Sequence, residues 1–374
     1  MKFVHVADLH LGKVLHQMSL LTIQRELLME LLTYMDDEDI RLLVIAGDVY
    51  DRLIPSQEAV ALLDEFLSLA LLKYHIEVLM ISGNHDSSER MHFASSILSD
   101  CGLHIETHLR KEMFFVEKEK TRFYLLPFFK PSHVKNLFEL DEVNSYQEAM
   151  DYYLKQQHLD SQYQNILITH QFIGKSSITS DSELPLSVGG SEVIDASLFQ
   201  DFAYVALGHL HAPQKVLRET MRYSGSLMRY SFDEVHQDKS IVIVDTEDLS
   251  VHCHPLHPAM TLQCYRGMFE QFMDPDFITK KDDIMSFELE NQQLIPHAID
   301  QLRTLYPHLL QITYTSSIHD NSSLHKTIKT IEKLDLLEMF ETFYEDTKKQ
   351  PLSTLQKQTM QQMIEKVGEN HENH

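Results

Sequence analysis

Short apolar runs rich in Val, Ile and Leu recur from residue 1 to about residue 250, and each ends on a polar residue of metal-ligand type. They are Phe3 to Ala7 before Asp8, Leu42 to Ala46 before Gly47 and Asp48, Val78 to Ile81 before Gly83 and Asn84, Ile166 to Ile168 before His170, and Tyr204 to Leu207 before Gly208 and His209. Runs of this length without polar alternation read as strands buried on both faces. The pattern predicts an α/β fold, at first sight a doubly wound sheet, with the polar residues gathered at the carboxyl edge where such sheets bind ligands. Helical spacing joins Ile23, Leu27, Leu28, Leu31 and Leu32, and again Val60, Leu63, Phe66, Leu67 and Leu71. Each of these stretches predicts a helix with one apolar face, buried in the fold by default or against a second copy of the chain.

After the strands expected at Ser240 to Val244 and Val251 to His254, Pro255 and Pro258 mark a boundary. The expected organisation is a main domain over 1–255, a small α+β domain over 256–325 and a helical segment over 326–374. In the small domain, a strand at Met285 to Leu289, a helix opened by Pro296 and carrying Ile299, Leu302 and Leu305, and a strand at Leu310 to Tyr314 are expected. The helical segment places Leu336, Met339, Phe340 and Phe343 on one face. After Pro351 a capping box from Ser353 to Gln356 opens a second helix with Leu355, Met363 and Val367. These apolar faces either pack back on the small domain or dock a partner.

Composition narrows the class without deciding it. With 43% hydrophobic and 24% charged residues in 374, the chain reads as globular and large enough for more than one domain. Its three cysteines, Cys101, Cys253 and Cys264, form no C-x-x-C pair, which argues against a disulfide framework or thiolate zinc site and for a cytoplasmic setting. No apolar run approaches the ~20 residues of a membrane span, so neither export nor membrane insertion is expected. A formal charge of -24 speaks against unaided nucleic-acid binding, because duplex DNA is held largely through neutralised phosphates. Bound divalent cations or a DNA-gripping partner would offset it.

The chemistry lies at the strand ends. Asp8 and His10 alternate and so offer a carboxylate and an imidazole to one side. Asp48 follows a glycine and carries two oxygens able to bridge two ions. Asn84 adds a carbonyl oxygen, and His170, His209 and His211 add imidazoles. Singly, a histidine at a strand end is an ordinary polar group, and among 23 histidines His16, His75, His104, His158 and His308 are read that way. Joint occurrence at successive strand ends sets the seven residues apart as a candidate site for two divalent cations.

Asp8-Leu-His10, Gly47-Asp48-Val-Tyr-Asp51, Gly83-Asn84-His85-Asp86, His170 and Gly208-His209-Leu-His211 together resemble the calcineurin-like metallophosphoesterase signature. The resemblance implies a four-layer αββα sandwich in place of a doubly wound sheet. It implies one metal on Asp8, His10, Asp48 and His211, a second on Asp48, Asn84, His170 and His209, and Asp48 as the bridge. His85 would be the general acid, with Asp86 orienting its ring, while Asp51 has an open role. Two such ions can activate water for in-line displacement at phosphorus.

Further stretches resemble the SbcD family of nuclease subunits: Asp8 to Gly12, Ser187 to Glu192, Tyr204 to Gln214, Arg222 to Ser226, Tyr230 to Glu234 and Lys239-Ser240. This resemblance spans nearly the whole chain, the small domain matching a capping domain and the last helices a segment that docks an SbcC-type coiled-coil ATPase. It implies an ATP-dependent 3′ to 5′ exonuclease on duplex DNA ends and endonuclease on single strands and hairpins. Manganese is the expected ion, with magnesium as the alternative, and the expected assembly is a homodimer within a heterotetramer. Gly189 and Gly190 read as a flexible turn from the residues alone, and as a loop beside the site from the resemblance. The competing functions are a stand-alone phosphodiesterase acting on small molecules and a scaffold of the same fold without chemistry.

Overall fold

The computed structural model describes residues 1–174 and 193–315, together with Tyr344, Ser353, Gln356, Lys357 and Met360. In chain order the strands are β1 (Lys2–Val6), β2 (Leu42–Ala46), β3 (Glu77–Ile81), β4 (Leu103–Glu106), β5 (Phe114–Lys118), β6 (Thr121–Leu126), β7 (Gln164–His170), β8 (Tyr204–Gly208), β9 (Gln214–Val216), β10 (Arg218–Tyr223), β11 (Ser240–Asp245) and β12 (Val251–Pro255). They form two six-stranded sheets, ordered β12-β11-β1-β2-β3-β4 and β9-β10-β8-β7-β6-β5. The centre of each is parallel: Val4 pairs with Leu43 and Leu43 with Val78 in the first, and Leu167 pairs with Val205 and Val205 with Met221 in the second.

Alternation along the strands sorts side chains into layers. Phe3, Leu42, Val44, Leu79 and Ile81 of the first sheet meet Phe123, Leu125, Ile166, Ile168 and Tyr204 of the second in one core between the sheets. The opposite faces carry Val4, Val6, Leu43, Ile45, Val78 and Met80 on the first sheet and Tyr124, Leu167, Val205 and Met221 on the second. Helix α1 (Leu21–Asp37) covers the first of these faces with Ile23, Leu27, Leu28, Leu31 and Leu32, all buried as their spacing predicts. Alongside it, α2 (Gln57–Ser68) buries Ala59, Leu62, Leu63 and Phe66. Val60, expected inside, is 45% exposed, because the buried stripe runs through 59, 62, 63 and 66 and leaves position 60 about 100° away. Helices α3 (Pro131–Phe138) and α4 (Tyr146–Lys155) cover the second sheet with Val134, Ala149, Met150 and Tyr153. The result is a four-layer αββα sandwich, so the doubly wound single sheet is corrected. Strands buried on both faces look alike whichever of two sheets they join.

The chain divides into two compact units. The first holds Met1–Tyr265, Lys280–Ser286 and Arg303–Gln311, and the second includes Arg266–Thr279 and Phe287–Leu302. Ile284–Leu289 and Leu309–Tyr314 are strands as expected, and Ala298–Arg303 is helical but stops short of Leu305. A further strand, Leu262–Gly267, precedes them in a three-stranded sheet. Its sequence LQCYRG buries only the end residues, so it carries no apolar signal. At Ser353 the capping box forms, Gln356 N–H donating to Ser353 Oγ at 3.4 Å and Ser353 N–H to Gln356 Oε1 at 2.9 Å. The apolar positions expected on the two terminal helices, and the stretch from Ser187 to Glu192, lie outside the described residues.

Candidate metal centre

The loops after β1, β2, β3, β7 and β8 converge because their strands are parallel and in register; Gly208 of β8 pairs directly with His170 of β7. Two glycines make room for this convergence. A Cβ at Gly83 would overlap the Asp48 carboxylate, and one at Gly208 would overlap the Ala46 carbonyl and the His170 ring. Asp8, His10, Asp48 and His209 adopt φ values of 53°, 41°, 50° and 106°. For residues with a Cβ these left-handed conformations cost on the order of 1–3 kcal/mol each and cluster where side chains must be aimed. The His209 amide donates to both Asp8 carboxylate oxygens at 3.0 and 3.1 Å, and the His85 amide to Asp48 Oδ1 at 2.8 Å.

All seven residues expected as ligands meet here, in two groups. On one side His10 Nε2 lies 3.0 Å from His211 Nε2 and 3.6 Å from Asp48 Oδ2. On the other, His170 Nε2 lies 2.9 Å from Asn84 Oδ1 and 3.4 Å from the same Asp48 Oδ2, while His209 Nδ1 lies 3.0 Å from Asn84 Oδ1. With metal–ligand bonds of about 2.0–2.2 Å, donors on one ion are roughly 3.0–3.6 Å apart, so both groups fit a divalent cation. Donor sets within 4.8 Å of one another include Asp8, His10 and His211, and Asp8, Asp48 and His170. Asp48 Oδ2 belongs to both groups.

Electrostatics agree with that fit. Burial, with neighbouring histidines, pushes His10 well below its usual range and His209 down to about 3. Burial also lowers His211, against the pull of Glu234. Neutral imidazole is the ligating form. Burial opposes charge on Asp48, yet His170, His10 and His85 outweigh it and hold the carboxyl well below the carboxylate range. His170 takes the complementary proton: burial lowers it, Asp48 outweighs burial, and it is pushed up to about 9. A cation between these donors would displace that proton.

Two of the ligand histidines, His170 and His211, are anchored through the ring nitrogen that faces away from the centre. His170 Nδ1 donates to the Ala46 carbonyl at 2.8 Å, and His211 Nδ1 to Glu234 Oε1 at 3.1 Å, which leaves each Nε2 facing the other donors. His85 Nδ1 donates to the main-chain carbonyl of Asp51 at 2.9 Å, and its Nε2 lies 3.9 Å from Asp48 Oδ2. The expected support of His85 by Asp86 is thus replaced by Asp51. The Asp86 carboxylate instead accepts the amides of Val49, Tyr50 and Gly83 at 3.1, 2.9 and 2.9 Å, tying together the loops that carry Asp48 and Asn84. Burial and the nearby Asp48 charge raise Asp86 to about 6. Asp51 Oδ1 lies 2.9 Å from Lys13 Nζ and 3.8 Å from His10 Nδ1. His104, read as an ordinary polar residue, bonds Glu77 Oε1 at 2.8 Å and Ser99 Oγ at 3.0 Å, away from these donors.

Residues 1–213 match the calcineurin-like phosphoesterase family, and residues 259–348 match the type 5 capsule protein repressor C-terminal domain. The chain is 35% identical over 370 residues to a Staphylococcus epidermidis protein named as the SbcD component of the SbcCD nuclease, covering 97% of this chain and 98% of that one. A Staphylococcus saprophyticus protein of the same name is 31% identical over 369 residues, at 97% and 98% coverage. The chain belongs to the SbcD group of calcineurin-like phosphoesterases.

Around this SbcD-type centre stand residues to which the sequence pattern attaches no role. Gln24 sits on the buried face of α1 and donates to the carbonyls of Leu9 and His10 at 3.0 and 2.8 Å and to Tyr230 Oη at 3.2 Å. Tyr230 in turn donates to the Leu9 carbonyl. The available signal was a polar residue inside an apolar helical stripe. Among the described residues no helix is long and apolar enough to cross a membrane.

Proposed function

We propose that this chain is the nuclease subunit of an ATP-dependent DNA nuclease, hydrolysing phosphodiesters as a 3′ to 5′ exonuclease on duplex ends and an endonuclease on single strands and hairpins. The observation that carries the reading is Asp48 Oδ2, 3.6 Å from His10 Nε2 and 3.4 Å from His170 Nε2, common to two donor groups in a chain that matches an SbcD protein over 97% of its residues. Asp8, His10, Asp48 and His211 would hold one cation and Asp48, Asn84, His170 and His209 the other. Two divalent cations, manganese foremost and magnesium second, would supply an activated water and stabilise charge at phosphorus. His85 would pass a proton from Nε2 to the leaving oxygen while the Asp51 carbonyl holds Nδ1. Asp86 and Asp51 would act on the site through its loops and Lys13.

The formal charge of -24 supports a division of labour in which an SbcC-type coiled-coil ATPase grips DNA and delivers it to the cations. The partner would dock on residues 326–374, with a capping domain over 256–325 and the nuclease domain over 1–255, in a cytoplasmic heterotetramer containing two copies of this chain. The test is cleavage of a DNA hairpin by the purified chain with manganese, with and without the ATPase and ATP. Hairpin cleavage that requires the partner is expected. Brisk hydrolysis of small phosphoesters with an intact hairpin under every condition would replace the nuclease by a stand-alone phosphodiesterase.

A further inference from the structure

We infer that Glu234 is the positioning residue for the cation site containing His211, and that this site, unlike the one containing His170, depends on a buried ion pair between Glu234 and Lys239. The inference rests on the two-cation reading of the centre.

Glu234 is fully buried and the Lys239 side chain is 8% exposed. Glu234 Oε1 accepts from His211 Nδ1 at 3.1 Å, and Oε2 lies 2.6 Å from Lys239 Nζ. Lys239 also donates to the His211 carbonyl at 2.8 Å, to Ser226 Oγ at 2.8 Å and to Gln237 Oε1 at 2.7 Å. One ion pair therefore holds both the ring and the main chain of His211. Tyr230 N–H donates to Glu234 Oε2 at 3.3 Å, and Tyr230 Oη donates to the Leu9 carbonyl, so the same segment also supports the loop bearing His10. The stretch from Tyr230 to Lys239 therefore fixes the His211 ring and braces the loop carrying His10, whose Nε2 lies 3.0 Å from that of His211.

The two sites differ in the group behind the histidine. His170 is backed by a neutral carbonyl and His211 by a carboxylate. A carboxylate fixes the tautomer and raises the basicity of the nitrogen that faces the metal. Lys239 Nζ, 2.6 Å from Glu234 Oε2, holds that carboxylate in place behind the His211 ring. A buried ion pair seldom adds net stability over apolar residues of like volume, so its presence here asks for a role in the site.

The test titrates manganese into the full chain carrying Glu234→Gln, which keeps size and a hydrogen-bond acceptor but removes the charge. Calorimetry gives affinity and stoichiometry, and electron paramagnetic resonance separates a coupled manganese pair from an isolated ion. Wild type should take up two ions. In the variant one site should weaken by roughly 10- to 100-fold while the other keeps its affinity, and the coupled signal should give way to an isolated one at intermediate manganese. Should the lone Lys239 prevent folding, Glu234→Gln combined with Lys239→Met removes both charges and should show the same selective loss. A folded variant that binds both ions with wild-type affinity, or loses both equally, overturns the inference. Wild type binding fewer than two ions would instead overturn the two-cation reading.

Discussion

His85 and Asp51 are joined through the main chain: His85 Nδ1 donates to the Asp51 carbonyl at 2.9 Å, so the ring is aimed by backbone and not by a carboxylate. Substituting the Asp51 side chain therefore leaves the aim of His85 intact. Asp51→Ala should lower kcat less than His85→Ala, which should cost about 10²- to 10⁴-fold if His85 is the acid. Manganese content should stay at the wild-type level in His85→Ala. Single-turnover cleavage of a phosphodiester at saturating manganese checks both, and undiminished cleavage by His85→Ala would remove it from the mechanism.

Asp48 Oδ2 faces donors of both groups, so a single substitution should disturb both cations. A ligand bound only by the folded chain stabilises it by RT ln(1 + [L]/Kd), about 2.7 kcal/mol at a hundredfold excess over Kd. Wild type should melt at higher temperature in manganese than in chelator. Asp48→Asn should abolish most of that difference and reduce activity by at least roughly 10²-fold, as loss of a centrally placed charge does. A melting shift of wild-type size in Asp48→Asn would remove Asp48 as the bridge.

The parts of this protein that were legible are those where one residue type has one physical use. Asp8, Asp48, Asn84, His170 and His209 stand out because each terminates an apolar run, and parallel pairing in register then gathers the ends. The division of strands between two sheets was not legible from the runs themselves: all five residues of β2 and all five of β8 are buried, and such a pattern is the same in any layer. Supporting residues were hidden for another reason. Glu234 and Lys239 look like surface polar residues until the fold encloses them, and only then does each need the partners that define its role.

Gly83 has its Cα where the Asp48 carboxylate needs space, and a methyl group there would overlap Oδ1 of Asp48. Gly83→Ala should cost about 1–3 kcal/mol, the range for overpacking, measured by urea unfolding in chelator. It should also weaken manganese binding, because relief of the overlap moves Asp48. A variant with wild-type metal affinity would show that the overlap is relieved elsewhere.

His5 lies between the sheets, fully buried, with Nδ1 3.0 Å from Tyr204 Oη. Burial first, and then the Arg222 charge, lower it from an ordinary 6.5 to about 3. Below pH 6.5 the unfolded chain therefore binds a proton that the folded chain refuses, so stability is fully present above 6.5 and falls as pH drops toward 3. The slope is about 1.4 kcal/mol per pH unit, so His5 alone should remove about 2 kcal/mol between pH 7 and pH 5. Other groups titrate in the same window, and His5→Phe isolates the contribution of this one. Urea unfolding in chelator at pH 7 and pH 5 should show a smaller loss in the variant than in wild type, the difference being about 2 kcal/mol. Equal losses would mean that His5 is protonated in the folded chain, with the buried ring charged and Tyr204 acting as acceptor.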